Sequence, residues 1–308
     1  MRSAGGHGSG PRRGGGPKQG WRPSILTIGV GVILLAAMVA GLYPMTAAWL
    51  SSYNQSQAIR EYGEAVSRVR PTAAEQLATA HAYNDAMSAG VLLGANANMP
   101  VGEGVMTDDS FRYDDILRAT DDGIMARIKI PRIGVDLPIY HGTSDEVLLL
   151  GAGHLEGSSL PVGGVDTHSV ITAHRGLANA TMFSNLDGVE LGDRFTVEVF
   201  GEVLTYEVRA KEVIEPAETD SLRAEPGHDW VTLITCTPLG INSHRIVLTG
   251  ERVTPTPSED SKRAGDAPTI PGVPWWALYA TGGLTVIATY VSRQGFADAK
   301  LHANRGNR

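Results

Sequence analysis

The stretch "TLITCTPLGINSHR", Thr232–Arg245, lies between two β-like runs and carries the only cysteine of the 308-residue chain, Cys236. The residues "VTLIT" before the thiol are apolar and β-branched, which is typical of a strand. The residues "TPLG" after it contain proline and glycine, which favour a turn. We therefore expect Cys236 at or near the end of a strand, where a rigid element can hold a catalytic side chain.

Short β-like runs continue on both sides of this stretch, from Gly123 to Val253. The segment Arg194–Phe200, "RFTVEVF", alternates apolar and polar residues, as a half-buried antiparallel strand does. Seven or eight short strands within about 130 residues predict one β-sandwich or β-barrel. The predicted strands are "IMARIKI", "VDLPIY", "SVITAH", "RFTVEVF", "VLTYEVRAKEVI", "WVTLIT" and "RIVLTGERV".

Helices and a loop are predicted ahead of the strands. Residues 46–69 could continue an upstream helix, and Thr72 with Glu75 has the spacing of a capping box for the next one. Gly90 is a plausible end of that second helix. Residues 90–112 are rich in Gly, Asn and Asp and predict a long loop, which is either a lid or binding loop or simply disordered.

Two apolar runs predict membrane anchors. Ser24–Tyr43 is uncharged and has the ~20 residues that a helix needs to cross a hydrocarbon core. Pro274–Ser292 is slightly shorter and begins with Trp275 and Trp276, which fit an interfacial aromatic belt. A cleaved signal peptide is the competing interpretation of the first run, although its apolar part exceeds the usual ~7–15 residues.

The charges are distributed unevenly along the chain. Five basic residues and no acidic one precede Pro44, whereas the region between Pro44 and Tyr290 has 17 basic and 32 acidic residues. The basic flanks place both termini in the cytoplasm and residues 44–273 outside, at the cell membrane. Nucleic acid is an unexpected partner, because phosphate binding needs a basic face.

The lone thiol has two interpretations. It cannot form an intramolecular disulfide, so it is either a small buried hydrophobe or a reactive nucleophile. A reactive thiolate needs a neighbouring cation or base. Candidate bases outside the membrane are many, and spacing alone does not choose between His174, His154 and His244. The spacing of these residues with His141 and His168 does not favour a metal site, and no cofactor is expected.

The stretch Leu137–Phe195, together with Thr232–Arg245, resembles the sortases, specifically the class C, pilin-assembling group of Gram-positive bacteria. The resemblance covers residues 120–253 and rests on three motifs that occur in order: T-L-x-T-C, H-R-G and N-[ST]-H-R. The two-anchor layout also resembles that class. The resemblance implies a mainly β fold, an eight-stranded β-barrel with N-terminal helices, flanked by two transmembrane helices.

The resemblance also implies roles for three residues. Cys236 matches the nucleophile, His174 the general acid/base and Arg245 the arginine that stabilises the oxyanion, whereas the other histidines match no catalytic role. The implied reaction cleaves an LPXTG-like sorting signal between Thr and Gly through a thioacyl enzyme, and transfers it to a pilin lysine amine. The implied partners are LPXTG-bearing surface or pilin proteins, a lysine-bearing pilin acceptor and the lipid bilayer.

One departure from the class concerns the lid. Class C sortases usually carry an Asp-Pro-aromatic motif ahead of the barrel, and residues 90–112 contain no Asp-Pro dipeptide. A shortened or absent lid is therefore expected. The predicted segments are a disordered basic tail (1–23), a transmembrane helix (24–43), N-terminal helices with a possible lid loop (44–119), the catalytic barrel (120–253), a linker (254–273), a second transmembrane helix (274–292) and a cytoplasmic tail (293–308).

Three other functions remain as alternatives. A housekeeping-type sortase, which joins surface proteins to peptidoglycan, would share the three residues and differ in its acceptor. A secreted cysteine peptidase or L,D-transpeptidase is disfavoured, because the C-G-S-C-W and S-H-G-C arrangements are missing. A membrane-tethered adhesin or scaffold would keep its function if Cys236 were replaced by alanine.

Overall fold

The computed structural model describes residues 20–87 and 112–306. The chain divides into two units, one formed by Met1–Tyr43 with Pro274–Arg308 and the other by Pro44–Val273. Apart from Arg112, the lid loop predicted at 90–112 lies outside the described residues. The α-helices are α1 (Ile25–Val66), α2 (Ala73–Ala86), α3 (Asp145–Leu150), α4 (Ser258–Lys262) and α5 (Trp275–Gly306). The strands are β1 (Ile124–Ile130), β2 (Val135–His141), β3 (Ala152–His154), β4 (Thr167–Thr172), β5 (Arg194–Val199), β6 (Glu202–Ile214), β7 (Asp229–Thr237) and β8 (His244–Arg252).

The eight strands close into a barrel in the order β1-β2-β3-β4-β7-β8-β6-β5. Six of the neighbouring pairs are antiparallel, and the pairs β2–β3 and β4–β7 are parallel. The predicted eight-stranded barrel is thus confirmed. Sequence patterns identified seven of its strands and missed β3, because three residues with a central glycine form too short a run to detect.

The barrel interior is filled by apolar side chains from all sides of the sheet. Phe195 and Tyr206 stack there with their ring centroids 5.5 Å apart, and both are fully buried. Gly250 on β8 makes room for this pair, since a Cβ at that position would lie 2.5 Å from the Phe195 ring. The size of the side chain at position 250 therefore decides how closely the two aromatic rings can approach β8.

The N-terminal helices of the barrel unit are fixed to the barrel by buried polar contacts. Tyr62 on α1 donates a hydrogen bond to the carbonyl of Met125, at 3.1 Å, and accepts one from the backbone of Phe200, at 2.9 Å. The capping box predicted from Thr72 and Glu75 is present at the start of α2. The part of α1 that follows Tyr43, together with α2, therefore belongs to the same unit as the strands.

The segment after β8 also contacts the barrel. Arg127 on β1 is 4% exposed and donates a hydrogen bond to the carbonyl of Asp266, at 2.7 Å. Thr269 donates its backbone N–H to the Asp136 carboxylate at 3.0 Å, and its carbonyl accepts from Ser56 at 2.8 Å. The polar composition of residues 254–273 predicts a linker, and the structure adds that this linker is bound to β1, β2 and α1.

Among the residues that the structure describes, one helix, Ile25–Val66, is long and apolar enough to cross a membrane. The second predicted span, 274–292, lies in the helix Trp275–Gly306, which does not meet the same criterion of apolar composition. In the unit that contains both termini, Asp298 accepts hydrogen bonds from the backbone of Ser24 and the hydroxyl of Thr27, each at 2.8 Å.

Candidate active site

Cys236 and Arg245 lie directly opposite each other on two neighbouring strands. β7 and β8 form an antiparallel pair in which Cys236 is in register with Arg245. Residues that face each other across a strand pair lie on the same side of the sheet. The turn between the strands makes Cys236 and Arg245 direct neighbours across the pair, although nine positions separate them in the sequence.

His174 lies on the other side of Cys236, just after the end of β4. β4 runs parallel to β7 with Thr172 in register with Ile234. The pairing continues past the strand end, because Ala173 donates its backbone N–H to the carbonyl of Ile234 at 3.2 Å. His174 is the second residue after Thr172, and Cys236 is the second residue after Ile234. The structure therefore places His174 just beyond the paired end of β4, beside the end of β7 on which Cys236 pairs with Arg245.

Two of the competing histidines are held inside the barrel by hydrogen bonds. His154 is fully buried, with Nδ1 2.9 Å from the Tyr113 hydroxyl and Nε2 2.9 Å from the Ser159 carbonyl. His168 is also buried, and its Nε2 lies 2.6 Å from Oγ1 of Thr232. Burial lowers the pKa of both imidazoles, in the case of His154 to about 4. Both side chains serve packing and hydrogen bonding within the core.

The remaining two histidines are also separated from the thiol. His141 has both ring nitrogens within hydrogen-bond distance of backbone carbonyl oxygens, at 2.9 and 2.7 Å. His244 pairs with Thr237, one position along from the Cys236 pair. Since successive residues of a strand point to opposite faces, His244 lies on the face opposite Arg245. Of the five histidines considered from the sequence, His174 is the one that follows the paired end of β4, beside the end of β7 that carries Cys236.

The electrostatic surroundings of His174 favour its neutral form. Burial lowers the pKa of His174 below its ordinary value, and the carboxylate of Asp145 opposes that shift in part. On the opposite side of the thiol, Arg245 donates hydrogen bonds from Nη1 to the carbonyl oxygens of Asn242 and His244, at 2.9 and 3.1 Å. Strand pairing puts a histidine and an arginine on the two segments that flank the Cys236 strand, which are the residue types that a thiol nucleophile needs as proton acceptor and oxyanion donor.

The loop that follows His174 packs against the turn that follows Cys236. Gly176 has a φ of +75°, and a Cβ at this position would collide with the Leu239 side chain. Arg175 donates a hydrogen bond to the hydroxyl of Thr237 at 2.7 Å. Sequence reasoning included Arg175 in a motif but gave no role to Arg175 or Thr237, because nothing in a linear pattern joins residues 62 positions apart.

A cavity of about 440 Å³ lies elsewhere on the barrel unit. It is lined by the end of α1, by Arg127 and Glu198, and by the linker residues 264–268. No residue of β4, β7 or β8 lines it. This cavity is therefore separate from His174, Cys236 and Arg245, none of which lines it. Within residues 20–87 and 112–306, no cluster of three or more His, Cys, Asp or Glu side chains could hold a metal ion.

Comparison with known proteins gives a consistent family. The model of the family described as "Sortase domain" matches residues 128–253. Sortase D of Bacillus subtilis is 28% identical over 130 residues, which are 41% of this chain and 63% of the relative. Sortase A of Bacillus anthracis is 25% identical over 130 residues, 60% of its length. The chain thus spans less than two thirds of the length of these curated relatives.

Solved structures match over a longer region. The crystal structure of sortase C-1 from Actinomyces oris is 50% identical, with a TM-score of 0.52 over 59% of this chain and 99% of the relative. The structure of Streptococcus pneumoniae sortase C is 37% identical, with a TM-score of 0.57 over 65% of this chain and 98% of the relative. The barrel fold, the matched domain and these similarities together show that the chain belongs to the sortase family of cysteine transpeptidases. Class C sortases are its structural neighbours.

Proposed function

We propose that this chain is a membrane-anchored transpeptidase that cleaves an LPXTG-like sorting signal between Thr and Gly and transfers the acyl group to a lysine amine of a pilin. The observation that carries the proposal is the pairing of Cys236 with Arg245 across β7 and β8, with His174 just beyond the end of β4, the other neighbour of β7. The substrates and the transfer step go beyond the family assignment.

In the proposed reaction, Cys236, Arg245 and His174 each have a separate role. The Cys236 thiolate attacks the Thr carbonyl, and the oxyanion that develops accepts hydrogen bonds from Arg245. Imidazolium at His174 protonates the departing glycine amine, which leaves a thioester between the substrate and Cys236. The neutral imidazole then removes a proton from the incoming lysine amine. The amine attacks the thioester, forms an isopeptide bond and releases the Cys236 thiolate, beside the imidazolium that now carries the amine proton.

The acidity of His174 influences how this reaction starts. Burial lowers the pKa of His174 and thereby favours the neutral imidazole, which is the form that removes the proton from the lysine amine. Oxyanion donors in comparable sites contribute about 3–4 kcal/mol each to the transition state. The planar guanidinium of Arg245 offers several N–H donors in a fixed geometry for this role.

The choice of a pilin lysine as acceptor is supported by the names of the structural neighbours. One of them is described as the Group B Streptococcus Pilus Island 1 sortase C2, which is 42% identical with a TM-score of 0.52. For the Streptococcus pneumoniae sortase C, the description refers to pilin substrate specificity. We carry this property over to the present chain as part of the proposal.

The membrane anchoring in the proposal rests on two features of the unit that contains both termini. The helix Ile25–Val66 is apolar enough to cross a bilayer. Asp298 of the C-terminal helix is hydrogen-bonded to Ser24 and Thr27, at the N-terminal end of that first helix. We propose that both helices cross the membrane, with the catalytic barrel outside and both termini in the cytoplasm.

The proposal is tested by incubating the purified protein with an LPXTG peptide and one of two acceptors, a pilin domain with a reactive lysine or a peptidoglycan amine. Mass spectrometry of the products is expected to show an isopeptide bond to the pilin lysine. Transfer only to the peptidoglycan amine would replace the pilin assignment by a housekeeping-type reaction. Absence of any cleavage by the folded protein would contradict the proposed activity.

Three variants assign the roles in the same assay. Cys236→Ala is expected to abolish both cleavage and the thioacyl adduct. His174→Gln and Arg245→Met are each expected to lower kcat/KM by about 10²–10⁴-fold, as the loss of an acid/base group or an oxyanion donor does. His244→Gln is the matched control, since this neighbour of Arg245 lies on the opposite face. Equal losses for His244→Gln and His174→Gln would contradict the assignment of the base.

A further inference from the structure

Arg175 joins the loop that carries His174 to the strand that carries Cys236. Its Nη1 donates a hydrogen bond to the hydroxyl of Thr237, at 2.7 Å, and Thr237 directly follows the thiol in the chain. Its Nε donates to the carbonyl of Ser184 at 3.2 Å, and its Nη2 lies 3.0 Å from the Asp187 carboxylate. The planar guanidinium of Arg175 therefore contacts Thr237 in one segment, and both Ser184 and Asp187 in another.

The two ends of the His174 loop are also held together. Phe183 donates its backbone N–H to the carbonyl of His174 at 3.0 Å, and the Ser184 hydroxyl accepts a hydrogen bond from the backbone of Gly176, at 3.0 Å. These bonds join the two ends of the loop to each other. The hydrogen bond from Arg175 to Thr237 instead joins the loop to β7. Besides this bond, the loop is held to the Cys236 segment by the backbone pairing of Ala173, by the hydrogen bond from the Thr235 hydroxyl to the Ala173 carbonyl, and by the packing of Gly176 against Leu239. The Arg175–Thr237 bond is the contact closest in sequence to both His174 and Cys236.

The burial of Arg175 separates its contacts into two kinds. The Arg175 side chain is 8% exposed, whereas the Asp187 side chain is 56% exposed. An ion pair with a partner that is largely in water contributes little, because solvent screens it. A hydrogen bond from a buried guanidinium is harder to replace, since the unpaired donor would remain away from water. Thr237 is therefore the more important of the two partners.

We propose that Arg175 is a positioning residue, which holds the His174 imidazole beside the Cys236 thiol by binding the hydroxyl of Thr237. Arg175 itself does not touch the reacting atoms. This inference rests on the proposed function, in which the imidazole exchanges protons with the departing and incoming amines at the carbonyl bound to Cys236. A displacement of the base by about 1 Å is enough to slow such a reaction by about 10²-fold.

The matched variants change one contact at a time in the full-length protein. Thr237→Val removes the hydroxyl and keeps the shape, whereas Thr237→Ser keeps the hydroxyl. Arg175→Lys keeps the charge but cannot reproduce a planar fork with three partners. Asp187→Asn removes the exposed ion pair and leaves the bond to Thr237 in place.

Steady-state kinetics with an LPXTG peptide give the first measurement. Thr237→Val and Arg175→Lys are expected to lower kcat by about 10–10²-fold, with KM changed by less than about threefold, because proximity and not peptide binding is lost. Thr237→Ser and Asp187→Asn are expected to keep most of the wild-type kcat. The double variant Arg175→Lys/Thr237→Val is expected to be no slower than the slower of its two single variants, since both changes remove the Arg175–Thr237 bond.

Alkylation of Cys236 by iodoacetamide, followed as a function of pH, gives a second measurement that needs no peptide. His174→Gln defines the profile of a thiol without its imidazole neighbour. We expect Thr237→Val to shift the wild-type profile towards that of His174→Gln, and Thr237→Ser to leave it unchanged. A wild-type profile and a wild-type kcat in a folded Thr237→Val protein would overturn the inference.

The two measurements also separate this inference from the proposed function. If the wild-type protein cleaves no peptide, the proposed function fails, and the alkylation profiles still decide whether Thr237 and Arg175 control the neighbourhood of the thiol. If Arg175→Lys does not fold, the comparison of Thr237→Val with Thr237→Ser decides the same question. Equal kcat losses for Asp187→Asn and Thr237→Val would contradict the assignment of Thr237 as the decisive partner.

Discussion

His154 and His174 are both shielded from solvent, but their neighbours give them different properties. The ring nitrogens of His154 contact the Tyr113 hydroxyl and a backbone carbonyl, and the side chain is fully buried. His174 is only partly buried and lies two residues after Thr172, the last residue of β4 that pairs with β7. The sequence alone could not distinguish the two, because the partners of each come from distant segments. The resemblance to a family selected His174, and the pairing of β4 with β7 places it near the end of the strand that carries Cys236.

The buried state of His154 predicts a pH dependence of stability. Burial lowers its pKa from the ordinary 6.5 to about 4 in the folded protein. As pH falls, the unfolded chain binds the proton first, so the free energy of unfolding decreases between about pH 6.5 and pH 4, by about 3 kcal/mol in total. Urea denaturation at a series of pH values measures this slope.

The variant His154→Gln removes this titration and is expected to flatten the pH dependence, although it also lowers stability at neutral pH. His81→Gln is the control, because His81 is exposed on α2. An unchanged slope in His154→Gln would show that another group carries the acid sensitivity. Burial lowers the pKa of His168 as well, so a residual slope of the same sign is expected in the variant.

Individual strands were predictable from alternation, whereas what covers them was not. The pattern of Arg194–Phe200 predicts a strand with one solvent-facing side, and the strand is present as β5. Its outward Glu198 is nonetheless buried, because it contacts Arg127 at 3.3 Å and also binds Lys129. A polar residue in an alternating pattern thus indicates a side of the sheet, and an ion pair with a neighbouring strand can bury it.

The contact between β8 and β5 predicts the effect of a single methyl group. In Gly250→Ala, the new Cβ would lie 2.5 and 2.7 Å from two atoms of the Phe195 ring. The ring stacks on Tyr206 and cannot move without disturbing this pair, so the variant is expected to be about 1–3 kcal/mol less stable. Thermal or urea unfolding measures the difference.

The control for this prediction is Gly63→Ala on α1, where a Cβ would meet nothing within 4 Å. This substitution is expected to raise stability slightly, because alanine favours the helix by about 1 kcal/mol. If both variants destabilise the protein equally, the crowding at Phe195 is not the cause of the loss.

At the scale of the whole molecule, the amino-acid sequence predicted the order of the segments along the chain better than it predicted the contacts between them. The segment 254–273 is polar and proline-rich and therefore predicts a linker. In the structure it is hydrogen-bonded to Arg127, Asp136 and Ser56. These contacts were not predictable, because their partners lie on β1, β2 and α1, far away in the chain. The linker is thus part of the barrel unit, Pro44–Val273.

This arrangement predicts a difference between two fragments. A fragment of residues 44–273 is expected to be about 2–4 kcal/mol more stable than one of residues 44–253, because the shorter one leaves several buried groups without their partners. Urea denaturation of both fragments tests this expectation. A fragment in which residues 254–273 are replaced by a Gly-Ser sequence of equal length should be as unstable as the truncated one. Equal stability of all three would show that the linker contacts contribute nothing.

The parallel pairing of β4 and β7 also influences when the candidate site can form. Arg175 and Thr237, and likewise His174 and Cys236, are 62 positions apart, so the two segments meet only when the chain between them has closed a long loop. Contacts between such distant parts of a chain form slowly. Under the proposed function, a newly synthesised chain would therefore gain its activity only once β4 and β7 have paired.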